Sequence, residues 1–241
     1  KRPARRQRPP VRSATVLAIT DASPRVRCIR IGGPDLIGID WVAGEKIKIK
    51  VADWMRSYTP SDVNSEEGWM DVVFFLHGNG SASQWAAGAA VGEALQFVGP
   101  SKSIPGPEGV PDWALFLGDE TTIGLAAALL GALPETVEAI GAIEVDDVDL
   151  GALGALGVSL DAVVRQGAHG DALLDWLDGR SLPEGSGMIW VSGEAISAKA
   201  LRQALMDRNP DNVQFKLKAY WSCKGHAHRK ALEKEQAQAQ A

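Results

Sequence analysis

The sequence is poor in cysteine and has no long apolar run. Its 241 residues include only two cysteines, Cys28 and Cys223, whose number and spacing fit neither a disulfide framework nor a metal site. Such scarcity is typical of a reducing compartment, so we expect a cytoplasmic protein. No apolar stretch approaches the roughly 20 residues that span a bilayer, and the N-terminus lacks the apolar core of a secretory signal. No integral membrane segment is therefore predicted.

Basic residues are unevenly distributed along the chain. Residues 1–12 carry six of the 25 Lys and Arg residues, whereas the whole chain has a net charge of −5. Basic runs at a terminus are usually solvated, so we interpret residues 1–13 as a flexible basic tail rather than a nucleic-acid-binding arm. The remaining chain is acidic and repels nucleic acid. We therefore expect no nucleic-acid partner, and an anionic ligand would need a local basic site.

Two further kinds of site are excluded by residue spacing. His226 and His228 lie two positions apart, but no third ligand is near them in the sequence, which argues against a metal site. The segment from Gly80 to Ser83 lacks the Gly-x-Ser-x-Gly pattern of a nucleophile elbow. Neither a metalloprotein nor a serine hydrolase is predicted.

Residues 14–100 predict an antiparallel β domain, either a barrel or a sandwich. Short apolar segments alternate there with Gly, Pro and Asp turns. In the clearest strand, between Lys46 and Val51, three lysines alternate with three β-branched residues, so one face is wet and the other apolar. The predicted strands are 15–19, 26–31, 46–51, 70–76 and 94–98.

Residues 113–225 predict an α/β domain, which follows a linker rich in Pro and Gly at 101–112. Alternation of apolar strands with helical segments indicates a mostly parallel sheet covered on both faces. Residues 226–241 are interpreted as a C-terminal tail. The predicted strands are 113–117, 140–145, 160–164 and 188–192, and the predicted helices are 121–131, 168–178 and 195–207.

Two of these strands end in a polar segment that opens a helix. Ligands of parallel sheets bind outside the carboxyl ends of the strands, so both ends are candidate sites. At the first, Asp119 is expected to cap a helix and Glu120 to be a favourable first-turn acid. These carboxylates argue against a phosphate at that helix end. The two segments are Gly118-Asp119-Glu120-Thr121-Thr122 and Val191-Ser192-Gly193-Glu194-Ala195.

Several segments also follow one another in the order of a known family. Arg56-Ser57-Tyr58-Thr59 matches an Arg-x-Tyr-Thr flavin motif, and the residues from His77 to Ala86 resemble a His-Gly-x-x-Gly-Pro-Ala-Ser-x-Trp-Ala motif, although one residue shorter and with Ser81 in place of Pro. The two strand-end segments and Ala219-Tyr220-Trp221 complete the order. The chain thus resembles the siderophore-interacting proteins. The resemblance implies a ferredoxin-reductase-like fold, with an antiparallel β-barrel flavin domain followed by an α/β nucleotide-binding-like domain.

The resemblance implies that the β domain binds FAD. An arginine fork can clamp the diphosphate, an aromatic ring two residues on can pack against the isoalloxazine, and the neighbouring hydroxyl or amide can donate to the flavin. Ser83 is expected to cap a helix whose free amides receive the diphosphate. Trp85 is implied to stack near the adenine or the flavin, and the terminal aromatics to cover the flavin's other face, although each would otherwise be interpreted as core. The implied FAD-binding residues are Arg56, Ser57, Tyr58, Thr59, His77, Gly80, Ala82, Ser83, Trp85, Tyr220 and Trp221.

The resemblance also implies a pocket for NADPH or NADH at the two strand ends. Lys199 and Arg202 would hold a 2′-phosphate or would simply form a solvated helix face. Gly124 stands where the family often has Pro, which leaves the choice of nucleotide open. The implied residues are Asp119, Glu120, Thr121, Thr122, Gly193, Glu194, Ala195, Lys199 and Arg202.

The implied activity is reduction of siderophore-bound ferric iron by FAD with electrons from NAD(P)H, which releases ferrous iron. No side chain is expected to act as acid, base or nucleophile, because the cofactor carries the chemistry. Lys48, Lys102 and Lys224 either form a basic siderophore site or are separate solvated lysines. Two alternatives stay open: an electron-donor protein instead of NAD(P)H, and a non-catalytic siderophore-binding or partner-docking module with the same fold.

Overall fold

The computed structural model describes residues 10–51, 54–78, 80–208 and 210–223. These residues form two compact units. The first contains the described residues up to Gly106 together with Gly124–Ala132, and the second contains Pro107–Ile123 and the described residues from Leu133 onward. The basic run 1–9, Lys224 and the predicted tail with His226 and His228 lie outside the described residues.

The first unit is built on a seven-stranded antiparallel sheet. Its strands are β1 (Val11–Ser23), β2 (Val26–Gly32), β3 (Lys46–Val51), β4 (Trp54–Tyr58), β5 (Pro60–Asn64), β6 (Trp69–Phe75) and β7 (Ala94–Ser101). They are ordered β4-β3-β7-β1-β2-β6-β5. The helix α1 (Ser81–Gly88) and all of the helix α2 (Ile123–Gly131) except Ile123 also belong to this unit.

The connection at Thr59 makes this sheet curl. β4 and β5 lie at opposite ends of the strand order, yet Thr59 alone separates them. One residue advances the chain by at most about 3.6 Å, so the two edges of the sheet must approach each other at Thr59. The curled sheet encloses a core in which Ile29, Ile49 and Phe97 have no exposed surface. β3 shows the predicted alternation of buried and exposed residues.

The second unit is built on a five-stranded parallel sheet. Its strands are β8 (Trp113–Asp119), β9 (Glu138–Val145), β10 (Asp161–Val164), β11 (Gly187–Glu194) and β12 (Val213–Trp221), ordered β10-β9-β8-β11-β12. The helices α3 (Ala152–Ala155), α4 (Asp171–Asp178) and α5 (Ala195–Asp207) lie between them in sequence. All neighbouring strands are parallel, so their carboxyl ends meet at one edge of the sheet. The predicted order of an antiparallel β domain and a parallel α/β domain is confirmed.

The structure differs from the sequence prediction at the start of β1 and at several edge strands. β1 begins at Val11, inside the predicted tail, because Val11 pairs with Val98 of β7. β4, β5 and β12 were not predicted. All three lie at sheet edges, where half-buried or exposed residues give no continuous apolar run.

α2 also departs from the sequence prediction. Residues 124–132 were predicted in the second domain but belong to the first unit. There Gly124 packs so closely that an added Cβ would lie 3.3 Å from the Thr59 carbonyl oxygen. Within the described residues, the longest helix is α5 with 13 residues, and no helix has the length and apolarity needed to cross a bilayer.

Candidate functional site

Arg56 and Tyr58 lie on the inner face of β4. Tyr58 pairs with Ile47 and Arg56 with Ile49, and both isoleucines are fully buried. Residues directly opposed in an antiparallel pair point to the same side of the sheet. Ser57, between them, points to the other side and is exposed. The strand therefore presents Arg56 and Tyr58 together.

A row of aromatic rings joins the two flavin motifs. The ring centroids of Tyr58 and Phe74 are 4.4 Å apart, and Trp85 meets Phe74 edge-on at 5.5 Å. Tyr58 and Trp85 are both partly buried against the same core. Burial raises the pKa of Tyr58 to about 12, so its hydroxyl stays protonated at neutral pH. The structure thus brings the two predicted flavin motifs together.

α1 begins after two glycines in the left-handed region. Gly78 has φ 75° and Gly80 has φ 88°, conformations that only glycine adopts without strain. No side chain in the described segments caps the first turn of this helix. The hydroxyl of Ser81 is buried and has no hydrogen-bond partner among the described residues. The start of α1 therefore has first-turn backbone amides that no described side chain caps and a hydroxyl that no described group engages.

The prediction that Ser83 caps this helix is wrong. The positive φ of Gly80 lets the helix begin at Ser81, so Ser83 lies inside the first turn. Its hydroxyl accepts a hydrogen bond from the Gly78 amide at 3.2 Å and thereby closes the preceding loop.

The remaining residues of this motif occupy different environments. The Trp85 indole donates to a Glu93 carboxylate oxygen at 2.7 Å, which fixes the ring at the edge of the core. Ala82 is buried in that core. His77 is exposed, with its ring centroid 6.2 Å from that of Phe75.

In the second unit, the two predicted strand ends come together at Asp119. One carboxylate oxygen of Asp119 accepts from the Glu194 amide and from the Trp221 indole, both at 2.8 Å. The other accepts from the Thr121 amide at 3.0 Å, which confirms the predicted cap. Gly193 has φ 112°, and an added Cβ would lie 2.5 Å from Asp119. Both the backbone and the close approach therefore require glycine there.

Glu194 caps α5. Its carboxylate accepts from the amides of Ile196 at 2.6 Å and Ser197 at 3.0 Å, and also from the Cys223 amide at 3.1 Å. Burial opposes ionisation of this group, but the three amides outweigh it, so the pKa of Glu194 lies below its ordinary value. Glu194 is thus an anion at neutral pH whose hydrogen-bonding capacity is largely used.

Arg165 organises the other carboxylates at this edge of the sheet. Its guanidinium contacts Glu120 at 2.6 Å, Asp146 at 2.8 Å and Glu144 at 3.1 Å. Glu120 and Glu144 are 2% and 1% exposed. Burial raises the pKa of Glu120, and Arg165 offsets this only in part. For Arg165, burial opposes the charge, but the two buried glutamates outweigh it and raise its pKa.

Arg165, Glu144 and His169 were not predicted as site residues from the sequence. Arg165 directly follows β10, and Glu144 lies at the end of β9, so the rule that pointed to the ends of β8 and β11 would also have found these positions. The Nδ1 atom of His169 is buried without a hydrogen-bond partner among the described residues. The ring stands edge-on to Trp221 with centroids 4.9 Å apart.

The other predicted residues differ in their exposure. Lys199 and Arg202 are exposed on α5, where the Arg202 guanidinium lies 5.9 Å from the Phe215 ring centroid. Tyr220 is half-buried on β12, and Thr122 is fully buried. In the first unit, Lys48 and Lys102 are exposed; Lys224 lies outside the described residues.

Two family models match the chain. Residues 48–104 match the siderophore-interacting FAD-binding domain, and residues 111–224 match the siderophore-interacting protein model. The first match contains both flavin motifs. The second contains the carboxyl edge of the parallel sheet.

Curated relatives align with parts of the chain. A protein of Vibrio cholerae named ferric vibriobactin reductase is 30% identical over 94 residues, which are 39% of this chain and 34% of the relative. A protein of Escherichia coli named NADPH-dependent ferric-chelate reductase is 28% identical over 178 residues, which are 70% of this chain and 66% of the relative. The chain thus spans less than two thirds of the length of either relative.

Solved structures share the fold. A siderophore utilization protein from T. fusca superimposes with a TM-score of 0.74 and 25% identity, covering 89% of this chain and 93% of that one. The siderophore-interacting protein SipS from Aeromonas hydrophila gives 0.70 and 22%, covering 93% and 99%. A ferredoxin reductase of carbazole 1,9a-dioxygenase, at 0.70 and 17%, covers 87% and 69% and shows the ferredoxin-reductase-like fold. Because models of one family match the β part and the α/β part in the expected order, the chain belongs to the siderophore-interacting proteins.

Proposed function

We propose that this protein is an FAD-dependent reductase that transfers electrons from NAD(P)H to siderophore-bound ferric iron. The observation that carries the proposal is the aromatic row Tyr58, Phe74 and Trp85, which joins two flavin motifs inside a match to an FAD-binding domain. The names of the V. cholerae and E. coli relatives, both ferric reductases, support the substrate class. We propose a cytoplasmic location, where such an enzyme would meet reduced nicotinamide nucleotides.

The residues of the first unit fit FAD. The buried, unpartnered hydroxyl of Ser81 and the uncapped first turn of α1 offer donors to an anionic diphosphate. Arg56 donates to the Met55 carbonyl oxygen at 3.2 Å but forms no ion pair with a described carboxylate, so the other donors of its fork are available for the same group. Tyr58 offers a partly buried ring. We assign FAD binding to Arg56, Ser57, Tyr58, Thr59, His77, Gly80, Ala82, Ser83 and Trp85, with Tyr220 and Trp221 against the flavin.

When bound, FAD supplies the conversion between two-electron hydride transfer and one-electron transfer to iron. The protein's own residues bind and orient. Arg56 neutralises diphosphate charge, and Tyr58, with its raised pKa, adds no charge beside the flavin. The ferric siderophore is the substrate, and reduction weakens the bonds between iron and hard oxygen ligands, which releases ferrous iron. No side chain has to act as acid, base or nucleophile.

For the electron donor, we propose NADPH or NADH at the carboxyl ends of β8 and β11. Lys199 and Arg202 are exposed cations suited to a 2′-phosphate. An electron-donor protein is the alternative, favoured by the carboxylates of Asp119 and Glu120, which offer no donor to a pyrophosphate. The residues assigned to the nucleotide are Asp119, Glu120, Thr121, Thr122, Gly193, Glu194, Ala195, Lys199 and Arg202, and those assigned to an anionic siderophore are Lys48, Lys102 and Lys224.

The test is spectroscopic. We expect the purified protein to show a flavin absorption spectrum, to be bleached anaerobically by NADPH or NADH, and to be reoxidised by a ferric siderophore with formation of ferrous iron. A protein that neither contains nor takes up FAD would contradict the proposal. Flavin that is bound but stays oxidised with both nucleotides would favour the donor protein or the non-catalytic binding module.

A further inference from the structure

Trp54 is an exposed aromatic residue on the face of β4 that carries Arg56 and Tyr58. Trp54 pairs with Val51, whose side chain is 6% exposed on the inner side of the sheet. By the alternation of a strand, residues 54, 56 and 58 therefore share one face. Yet Trp54 itself is 61% exposed, and the Arg56 guanidinium lies 5.4 Å from the centroid of its ring.

Along β4, the order of these three side chains matches the order of groups along FAD. Tyr58 is suited to the isoalloxazine and Arg56 to the diphosphate, and Trp54 follows on the side of the diphosphate away from the flavin. Each step of two residues advances a strand by about 6.7 Å, so about 13 Å separates the ends of the row. In FAD the adenine is likewise the group beyond the diphosphate.

The other tryptophan near these motifs is already engaged. Trp85 is held by its hydrogen bond to Glu93 and by its edge contact with Phe74. Trp54, in contrast, leaves most of its surface open to a ligand, and within the described residues the one group close to its ring is the guanidinium of Arg56. A large exposed aromatic surface beside a phosphate-binding arginine is suited to stacking with a nucleobase.

We propose that Trp54 stacks on the adenine of FAD and so makes the site select FAD over FMN. This inference rests on the proposed binding of FAD by Arg56 and Tyr58. Because FMN has the flavin and a phosphate but no adenine, Trp54 would contribute to the affinity for FAD alone. Stacking of a base on an aromatic side chain typically corresponds to about tenfold or more in affinity.

The experiment titrates apoprotein with FAD and with FMN, following the quenching of flavin fluorescence. We expect Trp54→Ala to weaken FAD binding about tenfold or more and to change FMN binding less than about twofold, while Trp54→Phe regains most of the FAD affinity. Met55→Ala is the matched control, because Met55 is exposed on the opposite face of the same strand and should leave both affinities unchanged. Circular dichroism would verify that all variants fold alike.

Three results would overturn the inference. Equal losses of FAD and FMN affinity in Trp54→Ala would mean that Trp54 shapes the flavin end of the site. Unchanged FAD affinity would mean that the adenine lies elsewhere. Weaker NADPH binding to the FAD-loaded variant, with FAD affinity intact, would assign the ring to the adenine of the nicotinamide nucleotide. If wild-type protein binds neither flavin, the proposed function itself fails, which these titrations distinguish from a failure of Trp54 alone.

Discussion

Replacing Arg165 should destabilise the second unit strongly, because Arg165 neutralises carboxylates that have almost no exposed surface. The Arg165 side chain is 15% exposed and contacts Glu120 and Glu144, which are 2% and 1% exposed. Removing one partner of a buried ion pair costs about 3–5 kcal/mol, since the other charge stays buried. We therefore expect Arg165→Met, which keeps much of the aliphatic stem, to lower the melting temperature by about 10 °C or more.

The pH dependence of this loss follows from Glu120. Arg165 lowers the pKa of Glu120 against the larger effect of burial. Without Arg165, protonation of Glu120 relieves the buried charge, so the destabilisation should be smaller near pH 4 than at pH 7. Thermal unfolding followed by circular dichroism at the two pH values measures both effects.

Arg180→Met is the matched control for this experiment. Arg180 pairs with Asp161 at 3.0 Å, but the two side chains are 46% and 55% exposed. An exposed ion pair contributes about 0–1 kcal/mol, so this variant should lose little stability. The buried carboxylates would not depend on Arg165 if both variants lost the same stability at pH 7. The same conclusion would follow if the loss of stability in Arg165→Met did not depend on pH.

Three further changes test other contacts. Arg56→Ala should weaken FAD binding about tenfold or more, because a charged hydrogen bond contributes about 1.5–3 kcal/mol. Lys50→Ala is the control and should keep the flavin content of wild type. Unchanged flavin content in Arg56→Ala would refute the assignment of Arg56 to the diphosphate. Glu120→Gln should gain stability relative to wild type as pH rises above 4.5. The pKa of Glu120 is raised in the folded state, so wild type loses stability as the Glu120 carboxyl ionises, whereas glutamine has no proton to lose. Parallel pH profiles of unfolding free energy for the two proteins would contradict the raised pKa. Gly193→Ala should destabilise the protein by at least about 1–3 kcal/mol because of the positive φ at Gly193 and the contact of an added Cβ with Asp119. Gly154→Ala is the control, because an added Cβ there meets nothing, and its unfolding free energy in chemical denaturation should stay close to that of wild type.

Some features follow from local sequence alone. The central strands β8 and β11 are buried along their whole length, so their apolar runs identified them directly. β3 was predicted with its observed bounds because burial of one face requires alternation. The cap at Asp119 was also predicted, since a carboxylate two residues before the Thr121 amide needs only local chain geometry.

Other features required the tertiary structure because they depend on residues far apart in the chain. Arg165 lies 45 residues from Glu120, and no local pattern indicates that one guanidinium serves three carboxylates. The start of α1 depends on the left-handed glycines. The cap position is therefore Gly80, and Ser83, three residues later, was wrongly predicted as the cap. β4 and β5 are edge strands whose positions are set by the curl of the sheet.

The sequence by itself determined the fold class, the family resemblance and the two flavin motifs, because burial periodicity and motif order are local properties of the chain. Only the tertiary structure decided which face of β4 each residue occupies, that Tyr58 and Trp85 meet through Phe74, and that Trp85 is held in place while Trp54 is exposed. These outcomes depend on strand register and on long-range packing. A side chain's availability to a ligand is therefore settled by the contacts that it already makes in the fold.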